Sequence, residues 1–126
     1  MQLMKALLKD DLEKYPFESQ EGLGFDAKCI IQFSIGKANW FFSELEETED
    51  DIILFGYADL CLGPGCAEWG YASMEELLSL KDMGLVINLN AEGKTIRELC
   101  DERGLEYDDF FSKKEDYGIE GDKDDR

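Results

Sequence analysis

The sequence predicts an α+β fold: an antiparallel sheet of about four to five strands packed with an N-terminal helix and two later helices. Apolar residues recur at helical spacing near the start, alternate or run together through the middle, and return to helical spacing behind two helix-cap signatures. The length of 126 residues fits one domain. We expect a single α+β domain over residues 1–117, with helices covering one face of the sheet, and a flexible acidic tail over residues 118–126.

The first predicted helix spans residues 2–14. Its apolar residues are spaced as on one face of a helix: Leu3, Met4, Leu7, Leu8 and Leu12. Tyr15 precedes Pro16, and a residue before proline avoids helical geometry, so we expect the helix to end there.

Four segments in the middle of the chain are predicted to be strands. In residues 25–35, apolar side chains at every second position alternate with side chains that are mostly polar, which is typical of a half-buried strand. The apolar set is Phe25, Ala27, Cys29, Ile31, Phe33 and Ile35. Residues 40–45 and 52–58 follow as a second and a third strand, and residues 68–71 as a short fourth. The apolar composition of residues 52–58 favours a central position, and Gly56 within them indicates a bulge or close packing.

Two capping signatures place the later helices. Ser73 and Glu76 have the spacing of a capping box, as do Thr95 and Glu98. Each pair predicts a helix that begins at the residue after the serine or threonine. Between these helices, residues 85–89 are predicted to form a fifth strand.

Four segments of the chain together resemble a known bacterial family. They are, in order, AKCIIQF at 27–33, WFFSE at 40–44, LFGY at 54–57 and EWGYASMEEL at 68–77. With the helix that precedes them, they resemble the domain of unknown function numbered 2958 over roughly residues 3–90. The resemblance implies a small cytosolic α+β protein carried on plasmids and other mobile elements, and it implies no activity and no catalytic residue.

Two parts of the sequence depart from the pattern of that family. Residues 63–66 look like an insertion, and everything after about residue 91 differs. The last helix and the acidic tail are therefore expected to be additions to the family's domain.

The charge of the chain restricts its partners. Thirty acidic residues stand against 13 basic ones, giving a net charge of -17, whereas a small soluble domain commonly carries a net charge of magnitude roughly 2–8. One interpretation is a solvated surface that favours solubility, and the other is a surface shaped to meet a basic protein. Such a field repels nucleic acid and anionic membranes. No secretory signal or membrane span is recognisable, so we expect a cytoplasmic protein.

The residue types argue against catalysis. Histidine is absent, which removes the commonest general acid or base and any nucleophile that depends on it. The cysteines lack the paired spacing of a zinc site, and we expect reduced, buried thiols at Cys29, Cys61, Cys66 and Cys100. Whether Cys61 and Cys66 pair stays open. We expect no metal, no cofactor and no enzymatic activity.

Acidic clusters are the best candidates for a binding surface. An acidic loop is predicted between the second and third strands, with Glu46, Glu47, Glu49, Asp50 and Asp51 as candidate contacts. A strand rises about 3.3 Å per residue, close to the rise of about 3.4 Å between phosphates of one DNA strand, so carboxylates there could imitate a nucleic acid. Further candidates are the carboxylates Asp108 and Asp109, and the aromatic anchors Trp69 and Tyr71. The alternative for the loop is a solvated hairpin with no partner.

These observations support several functional hypotheses. The leading one is a non-enzymatic acidic inhibitor from a phage or mobile element, which binds a nuclease or CRISPR effector and blocks it by nucleic-acid mimicry, as an anti-CRISPR or anti-restriction protein. The alternatives are an immunity protein that neutralises a basic toxin, and a plasmid accessory protein that binds its partner around Trp69 and Tyr71. A small enzyme is the last.

Overall fold

A five-stranded antiparallel sheet forms the centre of the protein, as the computed structural model shows for residues 1–60, 67–89 and 93–105. The strands are β1 (Ile31–Ile35), β2 (Ala38–Glu47), β3 (Ile52–Asp59), β4 (Ala67–Ser73) and β5 (Val86–Asn88). Their order across the sheet is β4-β3-β2-β1-β5. With one helical segment before the sheet, one helix between β4 and β5 and one helix after β5, the α+β fold class is confirmed.

The first helical segment is broken into two short helices. These are α1 (Gln2–Leu7) and α2 (Lys9–Lys14). Leu8 lies between them with a backbone φ of -105° and ψ of 16°, which is not helical. The break turns Met4 and Leu8 into the core, while Leu3 is 71% exposed. The prediction of one continuous helix with a single apolar face was therefore wrong at Leu3 and at the break.

The later helices begin where their caps place them. Helix α3 (Met74–Leu78) begins after Ser73, whose hydroxyl accepts a hydrogen bond from the Glu76 N–H at 3.2 Å. Helix α4 (Ile96–Glu102) begins after Thr95, and there the capping box is complete in both directions. Short 3₁₀ helices lie at Gly24–Asp26 and Lys81–Met83. Among the described residues, none of the helices has the length and apolar character needed to cross a bilayer.

The strand predicted over residues 25–35 is shorter in the structure. Only Ile31–Ile35 joins the sheet as β1. The residues before it bond to the segment that leads into α4: the Cys29 N–H donates to Lys94 O at 2.9 Å, and the Ile96 N–H donates to Ala27 O at 3.0 Å. The alternation of the sequence is real, because Ala27 and Cys29 are buried, but it reflects packing beneath α4 and not pairing within the sheet.

Both faces of the sheet carry core residues, and the expectation that only one face does was wrong. One cluster lies under α1, α2 and α3 and is mainly aliphatic. Its fully buried members include Ile31, Leu45 and Leu54. The second cluster lies on the opposite face under α4 and includes Phe41 and Cys100. The strands of the sheet centre are therefore apolar on both sides.

A β-bulge in β2 stands opposite Gly56 of β3. The pairing register between the two strands shifts between Phe42 and Glu44, with Phe42 opposite Gly56. A Cβ atom at Gly56 would lie only 2.0 Å from the Phe41 carbonyl oxygen. The bulge and the close backbone approach predicted at this glycine are both confirmed.

Candidate functional site

The end of the β2–β3 hairpin carries exposed carboxylates, and we call this region the hairpin tip (residues 46–51). Strand β2 continues to Glu47, so Glu46 and Glu47 lie on the strand and not in a loop as predicted. Residues 46–50 are all exposed, and Asp51 is partly covered. Successive strand residues point to opposite faces of a sheet, so Glu46 and Glu47 present their charges on opposite sides of the tip.

Lys5 of α1 holds the hairpin tip in place. Its ammonium group donates to the carbonyl oxygens of Thr48 at 2.6 Å and Glu49 at 2.9 Å. It also lies 3.4 Å from the Glu47 carboxylate, and the Lys5 side chain is only 18% exposed. A basic residue from a distant part of the sequence thus neutralises part of the acidic cluster and fixes its backbone.

Asp51 has a structural role at the start of α3. Its carboxylate accepts hydrogen bonds from the Ser73 hydroxyl, from the Ile52 N–H at 2.7 Å and from the Glu75 N–H at 3.0 Å. Desolvation alone would raise the pKa of Asp51, but these hydrogen bonds and the charge of Lys5 outweigh it and lower the pKa. The carboxylate is therefore committed to joining the hairpin tip to α3.

Several predicted residues lie outside the described parts of the chain. These are the acidic pair Asp108 and Asp109, the cysteines Cys61 and Cys66, and the tail at 118–126. The hairpin tip holds five of the predicted contact residues: Glu46, Glu47, Glu49, Asp50 and Asp51. Trp69 and Tyr71 lie on β4.

A cleft of about 800 Å³ opens on the sheet face that α4 covers only in part. We call it the aromatic cleft. Its sides are formed by strands β3 and β4 and by the loop at residues 16–24, and its lining includes the following aromatic and glutamate residues: Phe17, Phe55, Tyr57, Trp69, Tyr71, Glu18, Glu21, Glu44 and Glu68. Among the described residues that line it, none is lysine or arginine. The cleft is therefore both aromatic and negatively charged.

The aromatic rings of the cleft contact one another. Phe55 stacks on Trp69 at 6.0 Å between ring centroids with an interplanar angle of 24°, and it meets Tyr71 at 5.0 Å. Phe17 reaches from the loop to Tyr71 at 5.3 Å in an edge-to-face arrangement, and Tyr57 lies 5.4 Å from Trp69. Tyr71 is nevertheless 69% exposed. The rings form one continuous wall whose outer end faces solvent.

A buried carboxylate fixes the loop that closes the cleft. Glu44 is 5% exposed, and its two oxygens accept the backbone N–H groups of Glu18 and Gln20, each at 2.9 Å. The Gln20 side chain bonds to the carbonyl oxygens of Lys28 and Ser43. Glu18 has a backbone φ of 75°, a left-handed conformation that is rare outside glycine. This network holds Phe17 against β4 and pre-forms the cleft.

Most of the aromatic cleft was not predicted from the sequence. Trp69 and Tyr71 were predicted as anchors, and they form part of its wall. Phe17, Glu44 and Phe55 were not singled out, because they come from separate parts of the chain. One signal was present: Glu44 interrupts an otherwise apolar strand, and a charge placed there must find buried partners.

The two cysteines of the described residues, Cys29 and Cys100, are buried. Burial raises the pKa of both Cys29 and Cys100 to about 12, which keeps these thiols protonated and unreactive. Within residues 1–60, 67–89 and 93–105, no three His, Cys, Asp or Glu side chains come together so as to hold a metal ion.

The match to a protein family identifies the chain. Residues 3–101 match the family described as "Protein of unknown function (DUF2958)". The chain belongs to this family. The match confirms the resemblance and extends it beyond residue 90, so the DUF2958 region includes most of α4, and the expectation that the last helix is an addition was wrong. The curated proteins and the solved structures that were compared contain no match to the chain.

Proposed function

We propose that this DUF2958 protein is a non-enzymatic inhibitor that binds a nucleic-acid-handling host-defence complex through the hairpin tip. The observation that carries the proposal is the exposure of four neighbouring carboxylates, Glu46, Glu47, Glu49 and Asp50, at one end of a protein of net charge -17. The partner would present a basic surface, as a nuclease or a CRISPR effector does where it grips nucleic acid.

The construction of the hairpin tip supports binding to a groove. Because Glu46 and Glu47 point to opposite faces of the sheet, the tip presents a carboxylate on each side, and Lys5 pairs with the one at Glu47. A projecting tip with carboxylates on both sides is suited to a basic groove that otherwise holds nucleic acid. Lys5 fixes the backbone at Thr48 and Glu49 before binding, which reduces the entropy lost on association.

A matched pair of variants tests this proposal. The tip variant combines Glu46→Gln, Glu49→Gln and Asp50→Asn, and it leaves Glu47 and Asp51 because these contact Lys5 and α3. The control variant combines Asp10→Asn, Glu76→Gln and Asp82→Asn, three exposed carboxylates outside the tip. Both variants lose three negative charges, so a difference between them reports the location of the charge and not its total.

The assay is an affinity capture from host lysate at low and at high salt, followed by mass spectrometry. We expect a nuclease or CRISPR effector to be recovered at low salt and lost near 1 M salt, where the screening length falls to about 3 Å. The tip variant should bind that partner about tenfold more weakly, since each exposed charge pair contributes about 0.2–1 kcal/mol. The control variant should retain it. Equal capture by both variants would remove the hairpin tip from the proposal.

The captured partner also separates the alternatives. Inhibition requires that the purified partner cut its nucleic acid more slowly when the protein is added, and that the tip variant restore cutting. Recovery of a basic toxin instead of a defence complex would favour an immunity protein. A partner that stays bound at high salt would favour the accessory protein that binds around Trp69 and Tyr71.

A further inference from the structure

We propose that the aromatic cleft binds the guanidinium group of an arginine carried on a peptide segment of a protein partner. The inference goes beyond the function proposed above, because it concerns a different surface and does not require the hairpin tip. Three features of the described residues carry it: the sign of the charge in the cleft, the arrangement of its rings, and the rigidity of its closing loop.

The charge of the cleft selects a cation. Four of its lining residues are glutamates, and lysine and arginine are absent from the described lining. Glu18 and Glu21 are exposed in the closing loop, whereas Glu68 alternates with Trp69 in β4 and points to the other face of the sheet. Glu44 lies deeper, with both oxygens already accepting backbone N–H groups. Glu44 therefore contributes negative charge, while the exposed carboxylates of Glu18 and Glu21 are available to a bound cation.

The aromatic wall favours arginine among cations. A guanidinium group is planar, is less strongly hydrated than an ammonium group, and stacks on aromatic faces while it bonds to carboxylates in a bidentate manner. The cleft offers both kinds of partner: the rings of Phe55, Trp69 and Tyr71, and the exposed carboxylates of the closing loop, Glu18 and Glu21. A lysine side chain would use the charge but not the stacking geometry.

The size and the position of the cleft indicate a peptide and not a free amino acid. A volume of about 800 Å³ is in the range of sites that hold ligands of several residues or of drug size. Strand β4, which forms one side, is at the edge of the sheet in the described part of the chain. The residues that flank the arginine can therefore extend along that edge.

The closing loop is fixed before any ligand binds. Glu44 holds the backbone of Glu18 and Gln20, and Glu18 keeps a left-handed backbone conformation as a result. Strained residues of this kind are common at ligand sites, where the surrounding structure maintains them. Because Phe17 is already seated against Tyr71, arginine binding requires little reorganisation.

The experiment is an NMR titration of the ¹⁵N-labelled full chain with the tripeptide acetyl-Gly-Arg-Gly-amide. The matched control peptide carries citrulline, which has nearly the same shape as arginine without its charge, and a third peptide carries lysine. The chain has two tryptophans. Trp69 lines the cleft, whereas Trp40 packs against the core cluster on the opposite face. The two indole N–H signals therefore give a reporter and an internal reference in the same spectrum.

We expect the arginine peptide to shift the Trp69 indole signal and the amides of Gly22 and Gly24, with the Trp40 signal unchanged. Tyr71→Ala should weaken binding about fivefold through loss of ring contact, and Glu21→Gln about threefold. Both residues are exposed, so both variants should fold. Val86→Ala and Asp82→Asn, at exposed positions outside the cleft, should leave the affinity unchanged.

Three results would overturn the inference. They are the absence of any Trp69 shift at millimolar peptide, an equal response to the citrulline peptide, and unchanged affinity in both cleft variants. An equal affinity for the lysine peptide would overturn the choice of a guanidinium group. The tip variant described above should bind the peptide within about twofold of the unmodified chain, so failure here and failure of the proposed function are separate outcomes.

Discussion

The two faces of the sheet are covered to different extents by the described residues. On the face beneath α1, α2 and α3, the strands contribute aliphatic side chains that are fully buried, including Ile31, Leu45 and Leu54. On the opposite face, α4 covers the half that contains Phe41. The other half holds the aromatic cleft, where Tyr71 is 69% exposed.

This difference separates stability from recognition within one sheet. Complete burial of aliphatic side chains stabilises the fold by about 25 cal/mol for each Å² removed from water. Exposed, mutually contacting aromatic rings contribute less of that stabilisation, but they are the side chains most often found at binding hot spots. The covered face therefore maintains the structure, and the half-covered face is available to a ligand.

The largest expected effect tests whether the half beneath α4 is closed to solvent. In a Cys61→Ser/Cys66→Ser variant, only the buried thiols Cys29 and Cys100 remain. Burial raises the pKa of each from 9.0 to about 12, and the thiolate is the reactive form. At pH 8, native protein should react with Ellman's reagent at least about 1000-fold more slowly than urea-unfolded protein. Fast labelling of the native protein would mean that this half opens.

The comparison of the faces is tested directly by two alanine variants in neighbouring strands. Leu54→Ala, on the covered face, should lower the free energy of unfolding by about 3 kcal/mol, because it leaves a cavity in a fully buried site. Tyr71→Ala, in the cleft, should cost less than about 1 kcal/mol, because that side chain is mostly exposed. Urea denaturation measures both. Similar losses in the two variants would show that the cleft wall belongs to the core.

Two glycines that face each other across β3 and β4 provide a matched pair. Gly56 is paired with Gly70 in the sheet. A Cβ atom at Gly56 would meet the Phe41 carbonyl oxygen at 2.0 Å, whereas at Gly70 it would meet no atom within 4 Å. Gly56→Ala should lower the free energy of unfolding by about 2 kcal/mol, and Gly70→Ala by less than about 0.5 kcal/mol. If both variants unfold at the same urea concentration, the bulge accommodates a Cβ atom that its geometry should exclude.

The smallest effect concerns Asp51 and depends on pH. Its pKa is lowered in the folded protein from 3.8, so its contribution to stability is present above pH 3.8 and is lost as the pH falls through the lower folded value. Asp51→Asn should cost about 1 kcal/mol at pH 7, through loss of the hydrogen bonds at α3. The difference from the unmodified protein should shrink below pH 3.8. A difference that stays constant with pH would show that the negative charge of Asp51 does not stabilise the start of α3.

The local signals in the sequence predicted most of the fold. Thr95 and Glu98 specify the start of α4 through their own hydrogen bonds, so the capping box was sufficient there. Gly56 indicated the close approach of β2, because only a residue without a Cβ atom fits there. The errors occurred where a distant contact decides the outcome: Cys29 alternates as in a strand but pairs with Lys94, which its sequence neighbours cannot indicate.

The candidate sites follow the same division. The hairpin tip was predictable because its carboxylates are consecutive in the sequence. The neutralising role of Lys5 was not, since it lies 43 and 44 positions from the carbonyls that it contacts. The aromatic cleft needed the fold even more, because Phe17, Glu44 and Trp69 come together only when the loop, β2 and β4 are assembled.

The contact between Lys5 and the hairpin tip also has a consequence for the order of folding. Helices α1 and α2 have six residues each, too few to be stable alone in water. Their anchors are the tip carbonyls for Lys5, and the bond from the Leu45 N–H to Tyr15 O at 2.8 Å. Both helices are synthesised before the strands that they cover. They stay unfolded until the β2–β3 hairpin has left the ribosome. Helices α1 and α2 are therefore synthesised before the sheet but fold after it.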